Sequence, residues 1–405
     1  MRILHTSDWH LGQKFITQSR EPEQQMALSW LLGVIEQEQA DTLIVAGDIF
    51  DVNNPPVSAE EMYYRFLTDL KKTCCRNVVI VGGNHDSPSK LNAPRGLLKA
   101  LDMHVVGAAT GDPAEEIIVL KDQKNNGEDV LIAAVPFLRE RDFRTTTAGE
   151  SVDERIRRIQ EGIVGHYHDL VAQVEGFKGF IVATGHLFAR GASTHEEQQN
   201  IYLGNLDNIA AEQFPARFDY IALGHIHRMQ KVGKKDHIRY CGSLIPLSFS
   251  EITDKKGVIL IDLEKPGKAP IIREIPVPVF RRLITIKGSM GEVEKKLQKA
   301  HQPVDPLPAW VEVVVTGDPG VAMPDRHLRD FAAGMHLEIL KVKVERNSTS
   351  LNEHLPAADL AALSIDEVFE QRCISKGLND ETVAAVMQTF NELKEWMTEN
   401  GEKVR

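Results

Sequence analysis

Five apolar runs of strand length each end in a short polar loop that carries aspartate, asparagine or histidine. The loops are Asp8-Trp9-His10, Gly47-Asp48-Ile49-Phe50-Asp51, Gly83-Asn84-His85-Asp86, Gly185-His186 and Gly224-His225-Ile226-His227. Short apolar runs bounded by turn residues read as buried strands. Open α/β folds keep their ligand sites beyond the carboxyl ends of such strands. Between the first three runs lie stretches with helical spacing, 22–38 and 59–72. Strand, loop and helix in alternation predict a layered α/β fold.

From about 115 the pattern shifts. Ile117 to Leu120 and Val130 to Val135 flank Asn125-Asn126-Gly127, the signature of a hairpin. A charged helix is expected over 151–174, and residues 188–206 read as a polar loop on the substrate side. After Pro276 and Pro278 a smaller unit repeats strand and helix: strands at 280–287, 310–316 and 336–345, helices at 291–300 and 325–333. The remainder, 356–400, reads as helical, with a capping box at Ser364-Ile365-Asp366-Glu367. Val383, Val386, Met387, Phe390, Leu393 and Met397 form an apolar stripe there. The expected organisation is 1–275, 276–347 and 348–405, which suits a chain of 405 residues.

Composition narrows the function. The net charge of −11 argues against a free-standing nucleic-acid binder. No run is long enough for a membrane span, and the first strand lacks the features of a signal peptide. Cys74, Cys75, Cys241 and Cys373 form neither a disulfide framework nor a zinc pattern, so a reducing, cytoplasmic setting is expected. The loop residues supply oxygen and nitrogen donors that suit manganese, iron or zinc. The two oxygens of Asp48 can bridge two ions. Two metals about 3.5–4 Å apart activate a water for in-line displacement at phosphorus.

In this order, each at a strand end, the five motifs resemble those of the calcineurin-like metallophosphoesterase superfamily over about residues 1–255. Phe218 to His227, with Tyr240-Cys241-Gly242-Ser243 and Phe249-Ser250-Glu251, is similar to its DNA-repair nuclease branch. The resemblance implies a four-layer α/β/β/α sandwich with a small α+β capping domain that guides DNA and C-terminal helices. It places Asp8, His10, Asp48 and His227 on a first metal and Asp48, Asn84, His186 and His225 on a second. Both ions are expected to be divalent, with manganese preferred. It makes His85 the general acid and Asp51 the residue that orients it. Lys14 and Arg20, shortly after His10, are the phosphate-contact candidates. Val383, Met387 and Phe390 are the candidates for a partner contact. His5, His104, His166 and His168 are read as surface or structural, Asp86 as a loop-stabilising carboxylate, and the arginine clusters 139/141/144 and 155/157/158 as solvated faces.

The chain has no phosphate loop of the G-x-x-x-x-G-K-[ST] type, so any ATP site must come from another chain. The resemblance implies such an ATPase partner, docked on the C-terminal helices, and a homodimer inside the larger complex. It also implies ATP-dependent 3′→5′ exonuclease action on duplex ends and endonuclease action on single strands and hairpins. Competing readings are a phosphatase or phosphodiesterase for a small substrate and an inactive metal-bearing scaffold. The complete donor set opposes the scaffold, and the two accessory regions oppose the minimal phosphatase.

Overall fold

The computed structural model describes residues 1–121, 129–143, 150–190, 192, 209–317, 320–345, 366, 369, 373 and 380–400. They divide into two units, Met1–Val315 with Pro319–Val344, and Thr316–Asp318 with Glu345–Arg405.

The first unit is built on two six-stranded sheets. Its strands in chain order are β1 (Arg2–Thr6), β2 (Thr42–Ala46), β3 (Asn77–Val81), β4 (Met103–Val106), β5 (Ile117–Leu120), β6 (Val130–Ala133), β7 (Phe180–His186), β8 (Tyr220–Gly224), β9 (Gln230–Val232), β10 (Lys235–Tyr240), β11 (Gly257–Asp262) and β12 (Ile271–Pro276). One sheet runs β12-β11-β1-β2-β3-β4, the other β9-β10-β8-β7-β6-β5. β1 to β4 are mutually parallel, as are β6, β7, β8 and β10. The hairpin expected near 126 is the antiparallel β5–β6 pair; its Asn-Gly turn lies outside the described residues.

Period-2 alternation divides each strand between two cores. Ile3, Ile44, Val79 and Val81 point across to Ile132, Val182, Tyr220 and Ala222, closing a dry layer between the sheets. His5 lies in the same layer, its Nδ1 3.0 Å from the Tyr220 hydroxyl, and burial lowers its pKa to about 3. Leu4, Leu43, Val45, Val78 and Ile80 face the other way, onto helices α1 (Glu21–Glu38) and α2 (Val57–Leu70). The second sheet sends Leu131, Ile181, Ile221 and Leu223 outward onto α3 (Val152–Gln173), which opens with a Ser151/Glu154 capping box. Each fully buried Ile, Leu or Val contributes about 1.5–3 kcal/mol, and the cores meet at every strand. The layers are therefore α/β/β/α, as expected.

A third, three-stranded sheet follows: β13 (Leu283–Gly288), β14 (Ala309–Thr316) and β15 (Leu337–Glu345), with β14 central. Helices α4 (Met290–Ala300) and α5 (Pro324–Phe331) cover one face through Val293, Leu297 and Leu328. The other face carries Leu283 and Trp310 against Phe15 of the sandwich. The first strand begins at Leu283 rather than 280. Phe280, Arg281 and Arg282 instead form the link to the sandwich, where Arg281 pairs with Glu23 at 2.8 Å.

In the second unit, helix α6 (Asp380–Asn400) is the main described element. Most of the capping box at 364–367 lies outside the described residues, though Asp366 itself is helical.

Candidate metal centre

All five motif loops leave the same edge of the two sheets, because the strands that feed them are parallel neighbours. Asp8 and His10 follow β1, Asp48 and Asp51 follow β2, and Asn84 and His85 follow β3. His186 ends β7, while His225 and His227 follow β8, its partner in the second sheet. The backbone at the centre is strained. Asp8 (φ 52°), His10 (46°), Asp48 (49°) and His225 (100°) all lie in the left-handed region. Non-glycine residues occupy it at a cost of about 1–3 kcal/mol each, and such residues cluster at functional sites.

Asp48 is the middle of the cluster. Its Oδ2 lies 3.5 Å from His10 Nε2 and 3.1 Å from His186 Nε2, and its Oδ1 accepts the His85 amide at 2.9 Å. The Asn84 side-chain oxygen lies 3.0 Å from both His186 Nε2 and His225 Nδ1. Asp8 Oδ1 accepts the His225 amide at 2.9 Å. Donor atoms of Asp8, His10 and His227 converge within 4.8 Å of one another, as do those of Asp48, His186 and His225. A third group, His10, Asp51 and His85, converges within the same distance; the expected donor sets would add Asp48 to the first group and Asn84 to the second.

The residues fit divalent ions on structural grounds. His186 Nδ1 faces the Ala46 carbonyl at 2.9 Å, which leaves Nε2 turned towards the centre. His10 Nδ1 faces Asp51 at 3.1 Å, and its Nε2 is buried with no hydrogen-bond partner. A buried orphan nitrogen is costly unless something else is bound there. Electrostatics point the same way. Burial opposes charge on His10, yet Asp51, Asp48 and Asp8 outweigh it and raise the pKa to about 9. Burial likewise opposes charge on His186, and Asp48 carries it to about 9. Burial and the neighbouring His186 push His225 well below its ordinary value. Burial opposes ionisation of Asp48 too, but His186 and His10 hold its carboxyl well below the usual carboxylate range. The centre thus attracts cations, a role that bound metal ions can fill.

Several supports carry weak sequence signals or none. Asp86 accepts the amides of Ile49 (3.1 Å), Phe50 (2.9 Å) and Gly83 (2.8 Å), tying the Asp48 loop to the Asn84 loop. That is the loop-stabilising role expected; burial and the Asp48 charge raise its pKa to about 6. Glu251 is buried and faces His227 Nδ1 at 3.2 Å. Lys256 anchors it at 2.5 Å while also donating to the His227 carbonyl at 2.8 Å. Ser7 hydrogen-bonds the Asp8 carboxylate. Phe249-Ser250-Glu251 stands out as a motif; Lys256 and Ser7 carry no signal.

Two expectations change. Asp51 does face His85, but through its backbone carbonyl, which lies 2.7 Å from His85 Nδ1. Its carboxylate turns to His10 instead. Arg20 does not face solvent or a phosphate: it is 1% exposed, paired with Glu23 at 3.1 Å and with the Pro246 carbonyl at 2.6 Å. Lys14 is exposed, beside a cleft of about 290 Å³ that it lines with Lys341 and Lys343. In the second unit Val383 is buried and Met387 half-buried, while the Phe390 ring stacks on Phe369 at 3.9 Å.

The calcineurin-like phosphoesterase family matches residues 1–229, and the family described as type 5 capsule protein repressor C-terminal domain matches residues 279–376. The D subunit of nuclease SbcCD from Escherichia coli (strain K12) is 36% identical over 398 residues, covering 96% of this chain and 97% of that protein. The protein of the same name from Rhodobacter capsulatus is 34% identical over 385 residues, 91% and 93% of the two chains. That from Bacillus subtilis (strain 168) is 29% identical over 357 residues, 86% and 87%.

Close approach explains the motif glycines. A Cβ on Gly83 would fall 2.1 Å from Asp48 Oδ1, and one on Gly224 would fall 1.8 Å from the Ala46 carbonyl. Gly83→Ala should displace Asp48 and empty the centre without unfolding the sandwich. Elemental analysis and a thermal melt of one preparation check this; full metal content in Gly83→Ala contradicts the packing described.

Proposed function

This chain belongs to the calcineurin-like phosphoesterase family, in the branch of the SbcCD D subunits, and we propose that it works as a two-metal DNA nuclease that hydrolyses phosphodiester bonds. The observation that carries this is the convergence at one sheet edge of two donor groups, Asp8/His10/His227 and Asp48/His186/His225, with Asp48 of the second 3.5 Å from His10 of the first. Divalent ions bound there supply an activated water and stabilise the leaving oxygen; manganese is the proposed ion. Asp8, His10, Asp48 and His227 would hold the first ion, and Asp48, Asn84, His186 and His225 the second.

The protein's own work is positioning and proton transfer. Ala46, Asp51 and Glu251 fix the rings of His186, His10 and His227, which sets the nitrogen each presents. His85 is tied by its amide to Asp48 and by Nδ1 to the Asp51 carbonyl. Its Nε2 is then the atom that gives a proton to the leaving oxygen, a task suited to histidine near neutral pH. Lys14, beside the Lys341/Lys343 cleft, is proposed to meet the DNA backbone. The three-stranded capping domain would guide DNA rather than take part in hydrolysis.

The name shared by the relatives supports a complex with an SbcC subunit. In such a complex, SbcC is proposed to provide the ATP site, for ATP-dependent 3′→5′ exonuclease action on duplex ends and for cutting of single strands and hairpins in DNA repair, recombination and replication. Among the described residues no helix is long and apolar enough to cross a membrane; a cytoplasmic, nucleoid-associated setting is proposed. A homodimer within the larger complex is also proposed. Docking of SbcC is proposed for the C-terminal region that carries α6, where Phe390 stacks on Phe369.

Asp48→Ala should lose both ions, because it removes the shared donor. His85→Ala should keep the ions and lose turnover by roughly 10²–10⁴-fold. Manganese content, and cleavage of a duplex DNA end by the same preparations assembled with SbcC and ATP, decide this; a metal-free His85→Ala overturns the assignment. Turnover on p-nitrophenyl phosphate esters with none on DNA would favour the small-substrate reading instead.

Phe390→Asp places an unpaired charge against Phe369. Light scattering should give the mass of two chains for the variant as for the unaltered protein, while co-elution with SbcC is lost. Intact co-elution rules out this docking site.

A further inference from the structure

We propose that Trp310 of the capping domain is a positioning residue for the first metal ion, so that the seating of the cap sets the affinity of one half of the centre and not the other. The inference rests on the two-metal reading above.

Trp310 is 2% exposed and lies where the cap meets the sandwich. Its ring stacks on Phe15, centroids 5.4 Å apart and planes at 28°. The Arg281 guanidinium lies 4.1 Å from the Trp310 ring centroid and that of Arg20 5.5 Å, distances at which cation–π attraction operates. Both arginines pair with the same Glu23 oxygen, at 2.8 and 3.1 Å. Leu283 and Leu340 of the cap complete the contact, and Phe249 packs edge-on to Phe15 at 5.0 Å.

What matters is where those two phenylalanines lead. Phe15 belongs to the small hairpin Lys14–Phe15/Gln18–Ser19, entered directly from the His10 loop. The Gln13 amide donates to the His10 carbonyl at 3.0 Å, and Gln24 of α1 donates to the same carbonyl at 2.6 Å. Phe249 opens the turn Phe249–Glu251, whose Glu251 faces the His227 ring. Arg20 joins the two arms, being continuous with the hairpin and bonded to Pro246. The His10 backbone and the His227 ring are thus braced by segments that end on the Trp310 contact, while the His10 ring itself is held by Asp51. The donors of the second ion are held differently: His186 on Ala46, and Asn84 between His186 and His225, all within the sandwich.

Groups hydrogen-bonded to metal ligands commonly control affinity by about 10–100-fold, and Trp310 stands behind such groups, with Phe15 and Phe249 in between. Disturbing Trp310 should therefore act on one site selectively, whereas a merely structural residue would weaken both sites together or neither.

The test is a manganese titration of the metal-stripped full chain, followed by calorimetry and by electron paramagnetic resonance. A filled pair gives an exchange-coupled spectrum, a single ion an isolated six-line signal. In Trp310→Ala one manganese should bind about tenfold or more weakly, leaving the isolated signal over a wide concentration range. Trp310→Phe should restore the coupled spectrum. Phe249→Ala perturbs the same contact from the sandwich side and should reproduce the selective loss, which covers the case in which Trp310→Ala does not fold. Two unchanged affinities in the folded variants, or a parallel fall in both, overturn the proposal. Failure of the unaltered protein to take two manganese ions sinks the two-metal reading itself, and the coupling with it.

Discussion

The centre depends on one buried carboxylate that cannot stand alone. Asp48 is 1% exposed, and an isolated charge at such a position is strongly unfavourable. The structure answers with histidines on two sides and an amide on a third. Those histidines come from both sheets, so satisfying Asp48 requires the sandwich to be closed. The dry layer of Ile3, Ile44, Val79, Val182 and Ala222 therefore supports the chemistry: it sets the distance between the edges that carry the donors.

The cost of that convergence appears in the backbone. Four donor residues sit in the left-handed region, and the motif glycines leave no room for a Cβ against Asp48 or Ala46. Strain of this kind persists only when the surroundings over-determine it. Asp86 supplies part of that hold by gathering three amides from two loops. Glu251 and Lys256 supply more by bracing His227. The loops are short and tied down, which keeps the donors close to productive geometry before any ion or substrate arrives.

Much of this is legible in the sequence because strands and their polar ends leave a local mark. Short parallel strands leading into Asp, Asn or His loops are a one-dimensional pattern, and a layered α/β fold follows from it; the four layers follow from the family resemblance. What is not legible depends on contacts between distant segments. Arg20 stands shortly after His10, a plausible reach for a phosphate, yet Glu23, Pro246 and Trp310 enclose it. Asp51 has the right position for its expected task, but whether a carbonyl or a carboxylate performs it is decided by loop geometry alone. Lys256 and Ser7 look like ordinary residues until the fold brings them to His227 and Asp8. The apolar stripe of α6 reads as a face to be covered, and its Phe390 is already stacked on Phe369.

The central claim is that two metal ions share Asp48. Anomalous diffraction at the manganese edge, from crystals grown with manganese, tests it most directly. The account predicts two peaks about 3.5–4 Å apart, with Asp48 between them, Asp8, His10 and His227 around one, and Asn84, His186 and His225 around the other. A single peak, or a second peak whose donors do not include Asp48, would contradict it.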